Sequence, residues 1–272
     1  MIEKTYRILN KILRVSLEYA TLMPDSFNDF SCPSEESSDI VFLSDCAADE
    51  NYCYGIRYLS DNDKKIKNVF FSQKDRGQIL YSNEDDYSQL HLQLDRNCTN
   101  TVLTELLMVG FYSHISLREA LLLHASAVCY KNKAIIFTAA SGVGKTTQAE
   151  LWQEHREATI INGDKVFLTK ESDKIIAWGS PWSGSSPYYQ NTGAETAAIV
   201  VLEQAEENKI RKLSGMELLE RVVHHVFIPN WDSQCERAVL DFLDEVLART
   251  DVYLLSCGPN EDAVALLENT IF

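Results

Sequence analysis

The sequence predicts an α/β protein in two parts. A small, mainly β N-terminal domain is expected over residues 1–100, and an α/β domain carrying a phosphate-binding loop over residues 101–272. Three observations lead there. Short β-rich runs separated by polar turns fill the first hundred residues, and strands alternate with helical patterns from Leu121 onward. At Ser141–Thr147 a glycine-rich turn joins an apolar strand to a helix. The bulk numbers suit a globular chain with a real core: 272 residues, 45% hydrophobic and 24% charged.

In order along the chain, "KILRVSLEY", "DIVFL", "YGIRYLS", "KNVFFS", "GQILYS" and "QLHLQLD" read as strands, with "PSEESSD" and "NEDD" as polar loops. The first run is ambiguous, because Ile8, Ile12, Val15 and Tyr19 suit a helix; the alternation of Leu13, Val15, Leu17 and Tyr19 favours a strand. "TVLTELLMVGFYSHISL" has helical spacing and leads into the second part. There "LLLHASAV" and "AIIFT" are strands, followed by a helix from Lys145 to about His155. "ATIIN", "VFLTK", "KIIAWG" and "AAIVVLEQ" continue as strands. The helices "GMELLERVVHHVF" and "DSQCERAVLDFLDEVLAR" precede a last strand, "DVYLLS", and a helix begins after Pro259.

Charge and cysteine usage exclude several classes. A net charge of −15 argues against a nucleic-acid backbone as partner, and the densest basic group, Lys64, Lys65 and Lys67, reads as a solvated turn. The N-terminus alternates charged and apolar residues without a signal core, and no window approaches the roughly 18 apolar residues of a membrane span. The seven cysteines stand singly with no CxxC spacing, so neither a zinc knuckle nor a redox dithiol is indicated. The expected location is cytoplasmic, with no nucleic-acid or membrane partner.

The chemistry is concentrated at "AIIFTAASGVGKTTQAELWQEH". A phosphate-binding loop works by following a buried strand, turning sharply and opening a helix, so that backbone N–H groups and the helix dipole face the phosphates. Ser141, Gly142, Val143, Gly144, Lys145, Thr146 and Thr147 are the expected nucleotide-binding residues, with Lys145 on the β- and γ-phosphates and Thr146 offering a hydroxyl to Mg²⁺. The first glycine of the usual motif is absent. Ala139 stands there, which is affordable if φ stays negative. One strand later "ATIINGDKV" delivers Asp164, a candidate for the metal or for the proton of the acceptor.

With "LLLHASAV", "SGVGKTT", "INGDKV", "GSPWSG" and "NTGAETAAIVVLEQ" in this order, residues 121–257 resemble the HPr kinase/phosphorylase family, which shares a superfamily with the phosphoenolpyruvate carboxykinases. The likeness is greatest to the short HPr-kinase-like proteins of peptide-modification cassettes of the lasso-peptide kind. The resemblance implies a P-loop kinase domain with a mixed central sheet, ATP and Mg²⁺ as cofactors, and phosphoryl transfer to a serine of a small peptide or protein. It places His124 near the transferred group, makes Asp164 the remaining member of a pair of acids, and offers Asn191 and Glu203 as further substrate-side candidates. The sequence departs from the family at Gly163, where an acid often stands, and in the loop "GSPWSGSSPYY", which lacks an expected charge. HPr itself is not the expected substrate, since no long C-terminal gripping helix is evident.

Three rival readings stand beside this one. Free serine could be the acceptor in place of a peptide. The chain could be a non-catalytic ATP-binding accessory of a peptide-processing complex, a reading that Ala139 and Gly163 favour. A decarboxylating carboxykinase would need a larger set of Arg, Lys and His ligands than the sequence offers. His224 and His225 read as helical residues pointing in different directions, and Trp178 and Trp182 as core packing.

Overall fold

Alternation of polar and apolar residues makes strands at both ends of the chain, and the two sets build separate sheets. A computed structural model describes residues 2–17, 23–33, 37–45, 60–61, 64–65, 68–71, 79–82, 84–94 and 98–272. Much of "YGIRYLS", and Cys46 and Cys53, lie outside these residues. Contacts group the chain into two units: Met1–Arg118 with Pro229–Ala238, and Glu119–Ile228 with Val239–Phe272.

The first unit holds β1 (Ile2–Ile8), β2 (Lys11–Leu17), β3 (Ile40–Asp45), a short ladder of β4 (Ser60–Asp61) and β5 (Lys64–Lys65), then β6 (Asn68–Phe71), β7 (Ile79–Ser82) and β8 (Gln89–Gln93). Its six-stranded sheet runs β1-β2-β3-β8-β7-β6. The run that was ambiguous between helix and strand is β2, paired along its whole length with β1 through a two-residue turn. Leu9 and Asn10 both have positive φ there (52° and 59°), the geometry that matches strand twist. Helix α1 (Asn100–Ser116) starts at Thr99, whose hydroxyl accepts from the Val102 amide at 3.3 Å. It crosses closely over the Phe42 ring, since a Cβ on Gly110 would lie 2.7 Å from that ring. Trp231 donates to the Ser113 hydroxyl at 3.0 Å, and Tyr87 to Asp232, which ties the Pro229–Ala238 segment to this unit.

His114 is buried in α1, with Nδ1 donating to the Asp86 carbonyl at 2.8 Å. Burial first, then the Arg118 guanidinium, pushes its pKa down to about 4 from an ordinary 6.5. As pH falls below 6.5 the unfolded chain takes up a proton that the folded chain refuses until about 4. Stability from this group is therefore lost through that window, by about 2–3 kcal/mol at pH 4.5. Urea unfolding at pH 7 and pH 4.5 should show that extra loss in the wild type and not in His114→Gln. Equal losses in the two proteins would contradict it.

The second unit carries β9 (Ala120–Tyr130), β10 (Lys133–Thr138), α2 (Lys145–Arg156), β11 (Thr159–Asn162), β12 (Lys165–Glu171), β13 (Lys174–Trp178) and β14 (Gly193–Gln204). These are followed by β15 (Lys209–Lys212), α3 (Gly215–Val223), α4 (Ser233–Arg249, which begins among residues of the first unit), β16 (Asp251–Cys257) and α5 (Glu261–Ile271). The eight strands form one mixed sheet, β10-β9-β12-β13-β14-β16-β15, with β11 beside β9 and a further ladder between β10 and β14. β14 is parallel to β10 and β16; the other ladders are antiparallel. The mixed α/β architecture expected from the sequence is thus present.

Helices α2 and α5 cover a core of Val128, Phe137, Ala149, Trp152, Val200, Leu255 and Leu267. Trp182 is buried edge-on to Phe167, and Trp178 packs over Gly193 and donates to Thr169, so both tryptophans serve the core. The strand β15, "KIRK", was not anticipated. It is a charged edge strand whose pattern reads as a turn region without its partner β16. Among the described residues no helix is long and apolar enough to cross a membrane.

Candidate active site

Strand β10 is buried over Ala134–Thr138, and the chain leaves it through Ala139 directly into the loop. Ala139 is itself buried in the core beside Phe137, Ala149 and Trp152 and is not among the positive-φ residues. Glycine is therefore unnecessary at 139. It is required at Gly142 (φ 80°) and Gly144 (φ 123°), where a Cβ would meet nothing within 4 Å and the constraint is purely conformational. Gly144 caps α2, which leaves the N–H groups of Lys145, Thr146 and Thr147 at a helix start with no upstream carbonyl to bond.

Lys145 folds back over the loop. Its ammonium donates to the Ala139 carbonyl at 3.1 Å and the Ala140 carbonyl at 3.5 Å, and the residue is only 8% exposed. Burial lowers its pKa, against the pull of Asp164. From below, the Ser126 hydroxyl on β9 donates to the Lys145 carbonyl at 2.7 Å, fixing the first turn of α2 to the sheet.

Asp164 sits in the turn between β11 and β12, and the buried side chain of Asn162 shapes that turn. Asn162 Oδ1 accepts from the amides of Asp164 (2.9 Å) and Lys165 (2.8 Å), and its Nδ2 donates to the Ser180 carbonyl at 3.0 Å. The carboxylate of Asp164 is clamped on both oxygens. His124 Nε2 lies 3.2 Å from Oδ1, and the Lys165 ammonium pairs with Oδ2. The His124 hydrogen bond and, after the opposing effect of burial, the Lys165 pair hold its pKa well below the usual carboxylate range. His124 and Lys165 are direct partners across the β9–β12 ladder, so their side chains share one face with Asp164 between them. The Thr146 hydroxyl reaches toward the Gly163 carbonyl at 3.5 Å, which brings it to the same turn.

The loop Gly179–Gln190 closes the far side. The Gly163 amide donates to the Tyr188 carbonyl at 3.0 Å and the Gln190 amide to the Ile161 carbonyl at 3.0 Å. A Cβ on Gly163 would lie 1.9 Å from Ser186 Oγ, and one on Gly184 would lie 2.5 Å from Asp164 Oδ2. The volume a second acid would occupy is therefore filled by a serine of this loop.

Two clefts flank the glycine-rich loop. One, of about 450 Å³, runs beyond Gly144 and Thr147 between the ends of β14 and β16, lined by Gln148, Glu203 and Cys257. The other, of about 470 Å³, lies between Ala139–Ala140 and the end of α3, lined by Glu203, Arg221, His224 and His225. Glu203 borders both. Its carboxylate accepts from the Ser256 hydroxyl at 3.1 Å and lies 3.7 Å from Arg221. Asn191 is exposed and lines neither cleft.

The sequence reading of "GMELLERVVHHVF" as one helix is corrected. Helix α3 ends at Val223, because Val226 bridges Leu123 and the Phe227 amide donates to the Leu122 carbonyl, which draws the backbone onto the edge of β9. His225 is thereby delivered to the site. Its carbonyl accepts from the His124 amide at 2.8 Å, and burial together with the Lys145 and His124 charges lowers its pKa. The sequence does not single out Lys165 and reads His225 only as a helical residue beside His224, since no local pattern marks either as part of a site. Each acquires its place through pairing with β9.

The oxygen donors of Thr146 and Asp164 suit a hard divalent cation, and the loop amides with Lys145 suit an anionic phosphate chain. No protein-family model matches the chain, and no curated protein matches it. Among solved structures it is similar to the Hpr(Ser) kinase/phosphatase from Coxiella burnetii at 12% identity and a TM-score of 0.32, over 54% of this chain and 91% of that one. A likeness of that size carries no argument about function.

Proposed function

We propose that the chain is a Mg²⁺- and ATP-dependent kinase that transfers the γ-phosphoryl group to a hydroxyl, the serine of a small peptide or protein handled by a peptide-modification cassette. The observation that carries this reading is the convergence of Lys145, Thr146, Asp164 and His124 at the open end of a strand–loop–helix unit whose two strained positions are both glycines. The peptide acceptor rests on the sequence resemblance alone.

Each residue has a distinct task. The amides of Ser141–Thr147 cradle the phosphates, and Lys145 exchanges its carbonyl partners for phosphate oxygens as charge moves to the leaving group. Thr146 and Asp164 would hold magnesium, which would supply neutralisation of the phosphate charge. Asp164, kept ionised by two basic neighbours, is a weak proton acceptor, so the acceptor hydroxyl gives its proton to His124. Because Nε2 is held by Asp164, Nδ1 is the nitrogen of His124 left to act as the base. The cleft beyond Thr147 suits the nucleoside, because the loop presents its terminal amides to the phosphates nearest the base.

The test is transfer from γ-labelled ATP with Mg²⁺ to short serine-containing peptides and to free serine. Label on a peptide supports the reading, and label on serine alone reassigns the acceptor to a small molecule. Asp164→Asn should retain nucleotide affinity within a few-fold while transfer falls by about 100-fold or more. A non-catalytic nucleotide-binding module is the second reading, favoured by the closed clamp on Asp164 and the filled space at Gly163. Tight ATP binding with no label on any acceptor would select it.

A further inference from the structure

Consecutive residues of a regular strand point to opposite faces, so a neighbouring Asp and Lys do not normally pair with each other. Asp164 and Lys165 do pair, because Asn162 gathers both of their amides onto one oxygen and turns Asp164 back just before β12 begins. The ammonium of Lys165 takes Oδ2 of the carboxylate that the proposed function assigns to the metal. His124 takes Oδ1, and a Cβ on Gly184 would lie 2.5 Å from Oδ2, so any side chain at 184 would collide with that oxygen. Asp164 is about one-quarter exposed (23%) and Lys165 is similar (26%), so solvent screens the pair only in part. An ammonium and a divalent cation cannot share one lone pair, and at this separation a fixed cation also repels an arriving metal ion.

We propose that Lys165 is an internal counter-ion that keeps the metal position of Asp164 closed until nucleotide arrives. Divalent metal then enters as the metal–nucleotide complex and not alone, because the phosphates offer Lys165 a competing set of anionic oxygens and draw its ammonium off the carboxylate. Lys165 is in this view a positioning residue that sets the order of binding. Lys145 cannot take this part, since its ammonium is engaged with the Ala139 and Ala140 carbonyls on the loop side. The inference rests on the assignment of Asp164 as a metal ligand.

Mn²⁺ binding to the full-length chain, followed by electron paramagnetic resonance of the free ion, tests it without any turnover. The wild type should bind Mn²⁺ weakly in the absence of nucleotide, and Lys165→Met should bind it about tenfold more tightly or better. Lys165→Arg keeps the charge and should behave as the wild type, while Asp164→Asn combined with Lys165→Met should lose the gain. Addition of a non-hydrolysable ATP analogue should raise the wild-type affinity and bring the wild type and Lys165→Met together. Equal nucleotide-free affinities for the wild type and Lys165→Met would overturn the proposal, as would tight nucleotide-free binding by the wild type. Should Lys165→Met fail to fold, Lys165→Gln provides the same comparison. Failure of the analogue to bind any of these proteins would reject the kinase reading instead, while the nucleotide-free comparison still decides the role of Lys165.

Discussion

Lys145→Met should abolish nucleotide binding and phosphoryl transfer while leaving the fold as stable as before, or more so. The two effects separate because of where the ammonium sits. In the free protein it is almost fully buried and bonded only to neutral carbonyls, so burial disfavours its charge and a methionine of similar length removes a desolvation cost. The Ala139 and Ala140 carbonyls lose a donor, but Ala140 still accepts from the Val143 amide at 3.4 Å. In the proposed nucleotide complex the same ammonium would face multiply charged phosphate oxygens, and its removal should weaken binding by at least about 100-fold. Thermal unfolding and calorimetric titration with ATP check the two halves independently. A Lys145→Met protein that binds ATP as the wild type does would refute the phosphate-binding loop itself.

Gly163→Asp, which would place an acid beside Asp164 as in the family the sequence resembles, should destabilise the protein and should not improve transfer. A Cβ at this position lies 1.9 Å from Ser186 Oγ and 2.7 Å from Ser186 Cβ, so the loop must move. That loop is held by the Gly163–Tyr188 and Gln190–Ile161 backbone bonds and by the Ser186 amide on the Ser183 carbonyl at 2.9 Å, and it does not give way cheaply. Overpacking of this kind costs about 1–3 kcal/mol. A second carboxylate beside Asp164 would also draw on the same two cations, His124 and Lys165. Combining Gly163→Asp with Ser186→Gly should return most of the stability measured by urea unfolding, because it empties the contested volume. A single variant that folds with wild-type stability and transfers faster would show that the glycine is a defect and not a fitted contact.

The division of information between sequence and structure follows the range of the interactions. Elements fixed by their own periodicity were legible. Strands β9 and β10, helix α2 and strand β14 fall where "LLLHASAV", "AIIFT", "KTTQAELWQEH" and "AAIVVLEQ" place them. Gly142 and Gly144 were legible as well, because a positive φ is a local demand that few other residues meet. Elements that depend on a partner were not. Strand β15 exists because β16 pairs with it, and α3 stops at Val223 because the edge of β9 captures Val226 and Phe227.

By itself, then, the sequence determined the glycine-rich loop between β10 and α2, the lysine and threonine that open α2, and an aspartate one strand later, since each lies within a few residues of the turn that orients it. Tertiary structure alone decided what surrounds that aspartate. Register across the β9–β12 ladder sets His124 opposite Lys165, the Asn162 turn swings Asp164 between them, and a loop some twenty residues downstream fills the space beside Gly163. A carboxylate's charge state and ligands are set by whichever groups the fold brings within a few ångströms, and spacing along the chain does not encode that distance.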